Sequence, residues 1–433
     1  MNPKPKVLML GWEYPPVLAG GLGVACYGLV QALNRYADIE LLLPRAERES
    51  IDGSVKIRGM NYFGLEEGRE LVEVPLKPLE EFARIRRMHV RMPSPYPVGI
   101  GFEKEAVALR SPEAIRALYS GNEPYGPNIM QKVATYSEVA IGMAKESEFD
   151  LIHAHDWITF PAAIRLKELT GKPLVIHIHS LETDRIGQAA RGDWNSVYEV
   201  EKKAMKKADH IVTVSRYTRD CAVREYGIPE SRIRTVHNAI NPEEGFRLPN
   251  RSGEKLVLFL GRVTFQKGPE FMVESAWKLL QVFPDVLFFV AGVGDMLNQL
   301  KALVLERKID QKFVFAGFLS QANVKRVLAQ ADVYFMPSVS EPFGLSALEA
   351  AQFDVPCVIS NQSGVKEVLP NALHADFWDT GKFANYLYGL LNYKGIREEM
   401  KERTREDLNE ISWDESAKDV MEIYNDLLGN RQG

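Results

Sequence analysis

The chain is poor in cysteine, has no long apolar run and carries no large excess of either charge. Its three cysteines, Cys26, Cys221 and Cys357, lie far apart. They cannot all pair internally and lack the C-x-x-C spacing of a zinc or redox site, so a reducing compartment is the simplest setting. Lys and Arg number 53 against 58 Asp and Glu, a net charge of −5. No whole-molecule field draws such a chain onto nucleic acid. No run approaches the roughly 18 apolar residues of a spanning helix. Near the N-terminus the apolar run Val7 to Leu10 is too short for a signal peptide and is soon followed by Trp12-Glu13-Tyr14-Pro15-Pro16. The expectation is a cytoplasmic protein, with a peripheral membrane contact left open but not favoured.

What the chain does have is alternation. At about 150 residues per domain, 433 residues allow two or three domains, and 45% hydrophobic with 26% charged residues is ordinary globular composition. Short apolar runs alternate with longer amphipathic segments, the signature of a doubly wound α/β sheet. The first series has strands at Val7–Leu10, Ile39–Leu43, Leu151–His153, Leu174–His179, His210–Ser215 and Ile233–His237. The second has them at Leu256–Leu260, Val286–Val290, Phe313–Ala316, Val333–Met336 and Cys357–Ser360. Between 46 and 125 the pattern weakens into charged and Pro-containing sequence, read as an insertion with mobile loops. The polar stretch Asn241 to Glu254 marks the domain boundary, giving domains at 1–242 and 243–411. The remainder, 412–433, is a terminal helix with Val420, Ile423, Tyr424, Leu427 and Leu428 on one face, placed to cross back to the first domain.

Ligands of open α/β sheets sit beyond the carboxyl ends of the strands, and there the informative residues cluster. Gly20-Gly21-Leu22-Gly23 follows the first strand and opens a helix, offering free backbone N–H groups; a plain turn is the competing reading. Four of the eight histidines lie at two strand ends, in His153-Ala154-His155-Asp156 and His177-Ile178-His179. Residues two apart share a strand face, so each H-x-H pair could grip a metal. The favoured reading has no metal: Asp156 and His179 face the cleft, while His153 and His177 are hydrogen-bonded core histidines. Arg262 and Lys267 follow the first strand of the second series, ahead of a helix, and suit a diphosphate. In Glu341-Pro342-Phe343-Gly344-Leu345, Pro342 suits a first helical turn, which places Glu341 at a helix start. Glu349 shares a helix face with Leu345, an odd place for a carboxylate unless ribose hydroxyls meet it.

Together these residues resemble the retaining glycosyltransferases of the GT-B fold, the group that includes glycogen and starch synthases, over nearly the whole chain. Glu341 to Glu349 is similar to the E-x7-E signature, Arg262 and Lys267 to the Arg-x4-Lys clamp, and His155-Asp156-Trp157 to the H-D-W of glycogen synthases. The resemblance implies two Rossmann-like domains facing across a cleft, and a hexosyltransferase with a nucleotide-diphosphate sugar as donor. Arg262 and Lys267 would neutralise the leaving diphosphate, and Glu349 would bind the ribose. Glu341 and the backbone at Phe343, Gly344 and Leu345 would hold the donor sugar. Gly20, Gly21 and Leu22 would cover the phosphates, His179 would contact the sugar and Asp156 the acceptor side. No D-x-D metal-nucleotide motif is present, so no divalent ion or other cofactor is expected. Leu18 stands where bacterial glycogen synthases carry Lys, which with Glu349 moves the chain towards archaeal synthases and single-sugar transferases.

The leading expectation is transfer of glucose from ADP- or UDP-glucose to an α-glucan. The alternative is a lipid-linked, cell-envelope or small sugar acceptor, supported by Arg84, Arg86, Arg87, Arg91 and by Lys202, Lys203, Lys206 and Lys207 as a membrane-facing surface; such runs are more often solvated helix faces. A non-catalytic sugar-nucleotide or glycan binder, or another GT-B chemistry such as epimerisation or hydrolysis, remains as a further class.

Overall fold

In a computed structural model of the chain, the residues described are 3–17, 20–46, 51–52, 55–64, 111–121, 124–126, 128–186, 195–241 and 254–429. The 242/243 boundary, Leu18, and Arg84 to Pro97 lie outside them.

The first domain is built on a sheet in the order β3-β4-β2-β1-β5-β6-β7-β8. Its strands are β1 (Lys6–Leu10), β2 (Asp38–Leu43), β3 (Ile51–Asp52), β4 (Val55–Gly59), β5 (Leu151–His155), β6 (Leu174–Ile178), β7 (His210–Thr213) and β8 (Ile233–Thr235). All neighbours are parallel except β3 with β4. The residues between 46 and 125 are therefore more than an insertion: β4 extends the main sheet beside β2. Its sequence, Val55-Lys56-Ile57-Arg58-Gly59, hides this because Arg58 is buried as an ion pair with Glu40 at 3.1 Å and Glu146 at 3.2 Å.

Strand alternation sorts the core into two layers. Leu8, Leu10, Ile152 and Ile176 face one side, covered by α3 (Ile129–Ala144), α4 (Phe160–Thr170) and α6 (Ser196–Lys207). Val7, Met9, Ile39 and Val175 face the other, covered by α1 (Gly21–Leu33) and by the last helix. The short helices α2 (Pro112–Tyr119) and α5 (Glu182–Ile186) and helix α7 (Arg216–Tyr226) complete the domain. Helix α6 starts where Asn195 accepts from Val197 N at 3.0 Å and Tyr198 N at 3.1 Å, satisfying two of the donors a helix leaves free. Of its lysines, Lys202 lies over the Tyr198 ring and Lys207 pairs with Glu168 at 3.3 Å.

The second sheet has the order β11-β10-β9-β12-β13-β14. Its strands are β9 (Lys255–Leu260), β10 (Val286–Ala291), β11 (Phe313–Gly317), β12 (Val333–Met336), β13 (Cys357–Ser360) and β14 (Leu373–Ala375), parallel throughout. Helices α8 (Pro269–Leu280), α9 (Leu297–Glu306) and α12 (Thr380–Asn392) cover one face; α10 (Gln321–Leu328) and α11 (Leu345–Gln352) cover the other, with α13 (Lys394–Asn409) beside α11. The chain then returns. Helix α14 (Trp413–Gly429) buries Trp413, Ala417, Val420, Ile423 and Tyr424 in the first domain. The fit against α1 is close: a Cβ at Gly28 would lie 2.2 Å from Trp413 Cε2. No described helix is long and apolar enough to cross a membrane.

Candidate active site

In both sheets the strand order reverses at one point, between β1 and β5 in the first and between β9 and β12 in the second. Crevices open at such points beyond the carboxyl ends of the strands. The residues singled out in the sequence lie on loops and helix starts around these two crevices: Gly20 to Leu22 after β1, Asp156 after β5, His179 after β6, Arg262 and Lys267 after β9, and Glu341 to Glu349 after β12.

The two crevices face each other through direct contacts. Ser340 Oγ reaches Asp184 Oδ1 at 2.6 Å and Tyr217 OH at 2.8 Å, and Ser215 Oγ donates to Pro342 O at 2.5 Å. A Cβ at Gly21 would meet only Leu345 Cδ1, at 3.6 Å, and one at Gly20 would meet nothing within 4 Å. The glycines thus leave open space at the first turn of α1, where backbone N–H groups are free to meet an anion.

On the first-domain side, Asp156 takes a left-handed conformation, φ 59°, turning its carboxylate back across the end of β6. There Oδ1 accepts from His179 N at 2.7 Å and Ser180 N at 3.3 Å, clamping the loop that carries His179. Burial pushes this carboxyl up to about 6, against the charge of Arg185 and the two N–H groups. The His179 ring meets His155, with Nε2 2.9 Å from Nδ1.

The four histidines form one stack. Rings within each H-x-H pair lie 4.5 Å apart for His153 with His155 and 4.4 Å for His177 with His179. The register of β5 against β6 sets His155 opposite His177. Burial drives all four pKa values down, to about 3 for His155, so the stack is neutral. His153 is tied at Nδ1 to Tyr424 OH of α14, 2.5 Å away. His177 corrects the expectation of a hydrogen-bonded core histidine: neither ring nitrogen has a partner among the described residues, because the ring is held by stacking.

On the second-domain side, Lys267 and Glu341, assigned separate tasks from the sequence, are a direct ion pair, with Ser338 Oγ 3.4 Å from the same carboxylate. Arg262 is exposed, with Nη2 3.4 Å from Gln266 Oε1. Gly268, φ 62°, brings this loop against the next: a Cβ there would stand 2.1 Å from Pro337 O. Helix α11 begins at Leu345, so Pro342 is not in its first turn and Glu341 is not at its start. Glu341 instead bridges to Ser363, and the turn into the helix is made by Gly344 at φ 113°, a conformation that a side chain disfavours. The N–H groups at the helix start thus belong to the Gly344 to Ser346 region. Phe343 is buried beneath it, and Glu349, half-buried, lies one turn into the helix.

Three carboxylates around the site went unnoticed in the sequence. Glu13 accepts from Gly20 N at 3.1 Å and also takes the Tyr125 hydroxyl, fixing the Gly-Gly turn; its signal was a carboxylate between Trp12 and Tyr14. Asp184 and Glu367 act across the domains. Glu367 accepts from Arg216 N at 2.9 Å and Tyr217 N at 2.8 Å, capping α7 from the other domain, and meets His237 at 2.8 Å. No local spacing announces partners about 150 residues away.

Cys26 with His155 and His179, and His153 with His155 and His177, each bring their ligand atoms within 4.8 Å of one another.

The comparisons fit this geometry. Residues 241–407 match the model for glycosyl transferases group 1, and residues 101–244 that for glycosyltransferase family 4. An uncharacterised glycosyltransferase of Methanocaldococcus jannaschii is 27% identical, covering 97% of both chains. A glycogen synthase of Mycobacterium tuberculosis is 26% identical over 84% of this chain and 80% of its own. Among solved structures, a sucrose-phosphate synthase from Thermosynechococcus elongatus has TM-score 0.70 at 17% identity, over 99% of this chain and all of its own. The catalytic domain of starch synthase IV from Arabidopsis thaliana, bound to ADP and acarbose, has TM-score 0.67 at 15% identity, over 99% of this chain and all of its own. With two parallel sheets opposed at their switch points and both family models matched in order, the chain is a glycosyltransferase of GT-B type whose second domain matches the group 1 model.

Proposed function

We propose that the protein transfers a glucosyl unit from ADP- or UDP-glucose to an α-glucan with retention of configuration and without a metal. The observation that carries this reading is the convergence of Arg262 and the Lys267–Glu341 pair with His179 and Asp156 across the contacts of Ser340 and Leu345. The similarity to a glycogen synthase supports the glucan acceptor, and the ADP in the starch synthase neighbour supports the donor class.

In this mechanism the donor diphosphate lies between the first turn of α1 and Arg262, whose planar fork suits phosphate oxygens. The diphosphate draws Lys267 towards itself, and the Glu341 carboxylate turns to the sugar hydroxyls. As the bond from the anomeric carbon to the phosphate oxygen breaks, negative charge grows where cations and helix N–H groups are already placed. An acceptor hydroxyl attacks from the same face and forms the new glycosidic bond. Its proton passes to the departing phosphate oxygen, so no protein base is consumed. Neutral His179 hydrogen-bonds the sugar, and Asp156 holds that histidine's loop and meets the acceptor side.

The test is a donor screen with ADP-glucose, UDP-glucose, GDP-mannose and UDP-N-acetylglucosamine, with and without glycogen, following nucleotide diphosphate release in EDTA. Glycogen-dependent release from a glucose donor is the expected result. Release indifferent to glycogen would move the acceptor to a lipid-linked or small sugar, and loss of turnover in EDTA would overturn metal independence.

A further inference from the structure

The histidine stack ends beside a thiol that the transfer reaction does not use. Cys26 is in the second turn of α1, buried and unoxidised, and its sulfur lies within 4.8 Å of ligand nitrogens of His155 and His179. The other two cysteines have different company: Cys357 Sγ points at the carbonyls of Val355 and Ala347, and Cys221 takes a hydrogen bond from Arg224. A buried thiol is commonly a small apolar filler, which describes those two. Cys26 faces imidazoles instead.

We propose that Cys26, His155 and His179 form a binding site for one zinc ion, and that zinc bound there withdraws His179 from the donor sugar. His155 Nδ1 and His179 Nε2 are 2.9 Å apart and share one proton. Two imidazole nitrogens on a tetrahedral zinc, each at about 2.0–2.1 Å, stand roughly 3.3 Å apart. Replacing that proton with the metal opens the pair by only a few tenths of an ångström. Zinc displaces the thiol proton to solvent and takes sulfur as thiolate, so affinity rises with pH. Three protein ligands leave a fourth position for a water molecule. His153, with Nδ1 committed to Tyr424, and His177, deeper in the sheet, form a wall behind the site.

The inhibitory half of this inference rests on the proposed role of His179; the binding half does not. Cobalt is titrated into the metal-stripped full chain, and the spectrum is read for thiolate-to-cobalt absorption in the near ultraviolet. The expected result is one equivalent bound with that absorption, lost in Cys26→Ser together with at least about tenfold in affinity. Zinc should then inhibit transfer, EDTA should reverse it, and Cys26→Ser should keep its zinc-free rate while needing at least about tenfold more zinc. No cobalt binding, binding without the thiolate band, or equal affinity in Cys26→Ser would overturn the site. A normal cobalt spectrum with transfer indifferent to zinc would overturn the hold on His179 alone. If no donor supports transfer, the cobalt arm still decides whether the site exists.

Discussion

Ser340, on the loop after β12, donates its hydroxyl to Asp184, in α5 of the other domain, at 2.6 Å. Asp184 lies five residues beyond His179, and Ser340 immediately precedes Glu341. One bond thus links the segment carrying His179 to the one carrying Glu341, the two residues proposed to meet the donor sugar. Asp184 is buried, and burial raises its pKa, so losing a donor is costly. Ser340→Ala should lower stability by about 1–3 kcal/mol, read by thermal or urea unfolding.

Arg262→Ala should lower kcat/KM for transfer by about 2–4 kcal/mol, roughly 30- to 1,000-fold. Arg262→Lys should recover only part of this, since a point charge replaces a fork. Near-parental turnover in the alanine variant would remove Arg262 from the diphosphate.

Asp156 sets an acid limb. Its carboxyl, raised to about 6, is protonated in the folded protein below that pH and charged above it. The charged form is the one disfavoured by burial, so this group costs stability as pH climbs from its ordinary 3.8 through about 6. Activity should do the opposite, falling as pH drops through about 6, where the clamp on His179 loses its charge. Asp156→Asn should abolish that limb in a pH–rate profile; an unchanged limb would assign it to another group.

Glu367 runs the other way. Burial raises its pKa, but His237 and the N–H groups of Arg216 and Tyr217 outweigh that and hold it down at about 2. Its contribution is full above the ordinary 4.5 and is lost as pH falls from there through about 2. Acid unfolding should therefore show a domain-separating component in this window, detected by scattering, and Glu367→Gln should weaken it while costing about 1–3 kcal/mol at neutral pH.

Gly28→Ala places a methyl where Trp413 Cε2 already sits, 2.2 Å away. Overpacking of this kind costs about 1–3 kcal/mol. The indole should shift outward, raising its exposure to fluorescence quenchers; an unaltered melting curve would show that the helix pair gives way freely.

The strands were legible because Val, Leu, Ile and Phe runs broken by turn residues have few other uses, and the cleft residues because they trail those strands. Strand β4 was not, since Arg58 makes a buried strand look like a charged loop. The start of α11 was misplaced because Pro342 is a good first-turn residue, whereas the turn that forms depends on the freedom of Gly344 two residues later. The Lys267–Glu341 pair and the histidine stack depend on loop approach and strand register, which residue types alone do not reveal. Asp184 and Glu367 look like ordinary helix-side carboxylates until the opposite domain is set beside them.

The return of α14 onto α1 has a consequence for biosynthesis. The layer formed by Val7, Met9, Ile39 and Val175 is covered by a helix that leaves the ribosome only after the whole second domain. The second domain, closed by α12 and α13, has its core complete before that point, while the earlier-made first domain waits with an apolar face exposed. Premature termination just before Trp413 would therefore damage the half of the molecule farthest from the lesion in sequence, and a chaperone holding the nascent chain would be needed longest at its beginning.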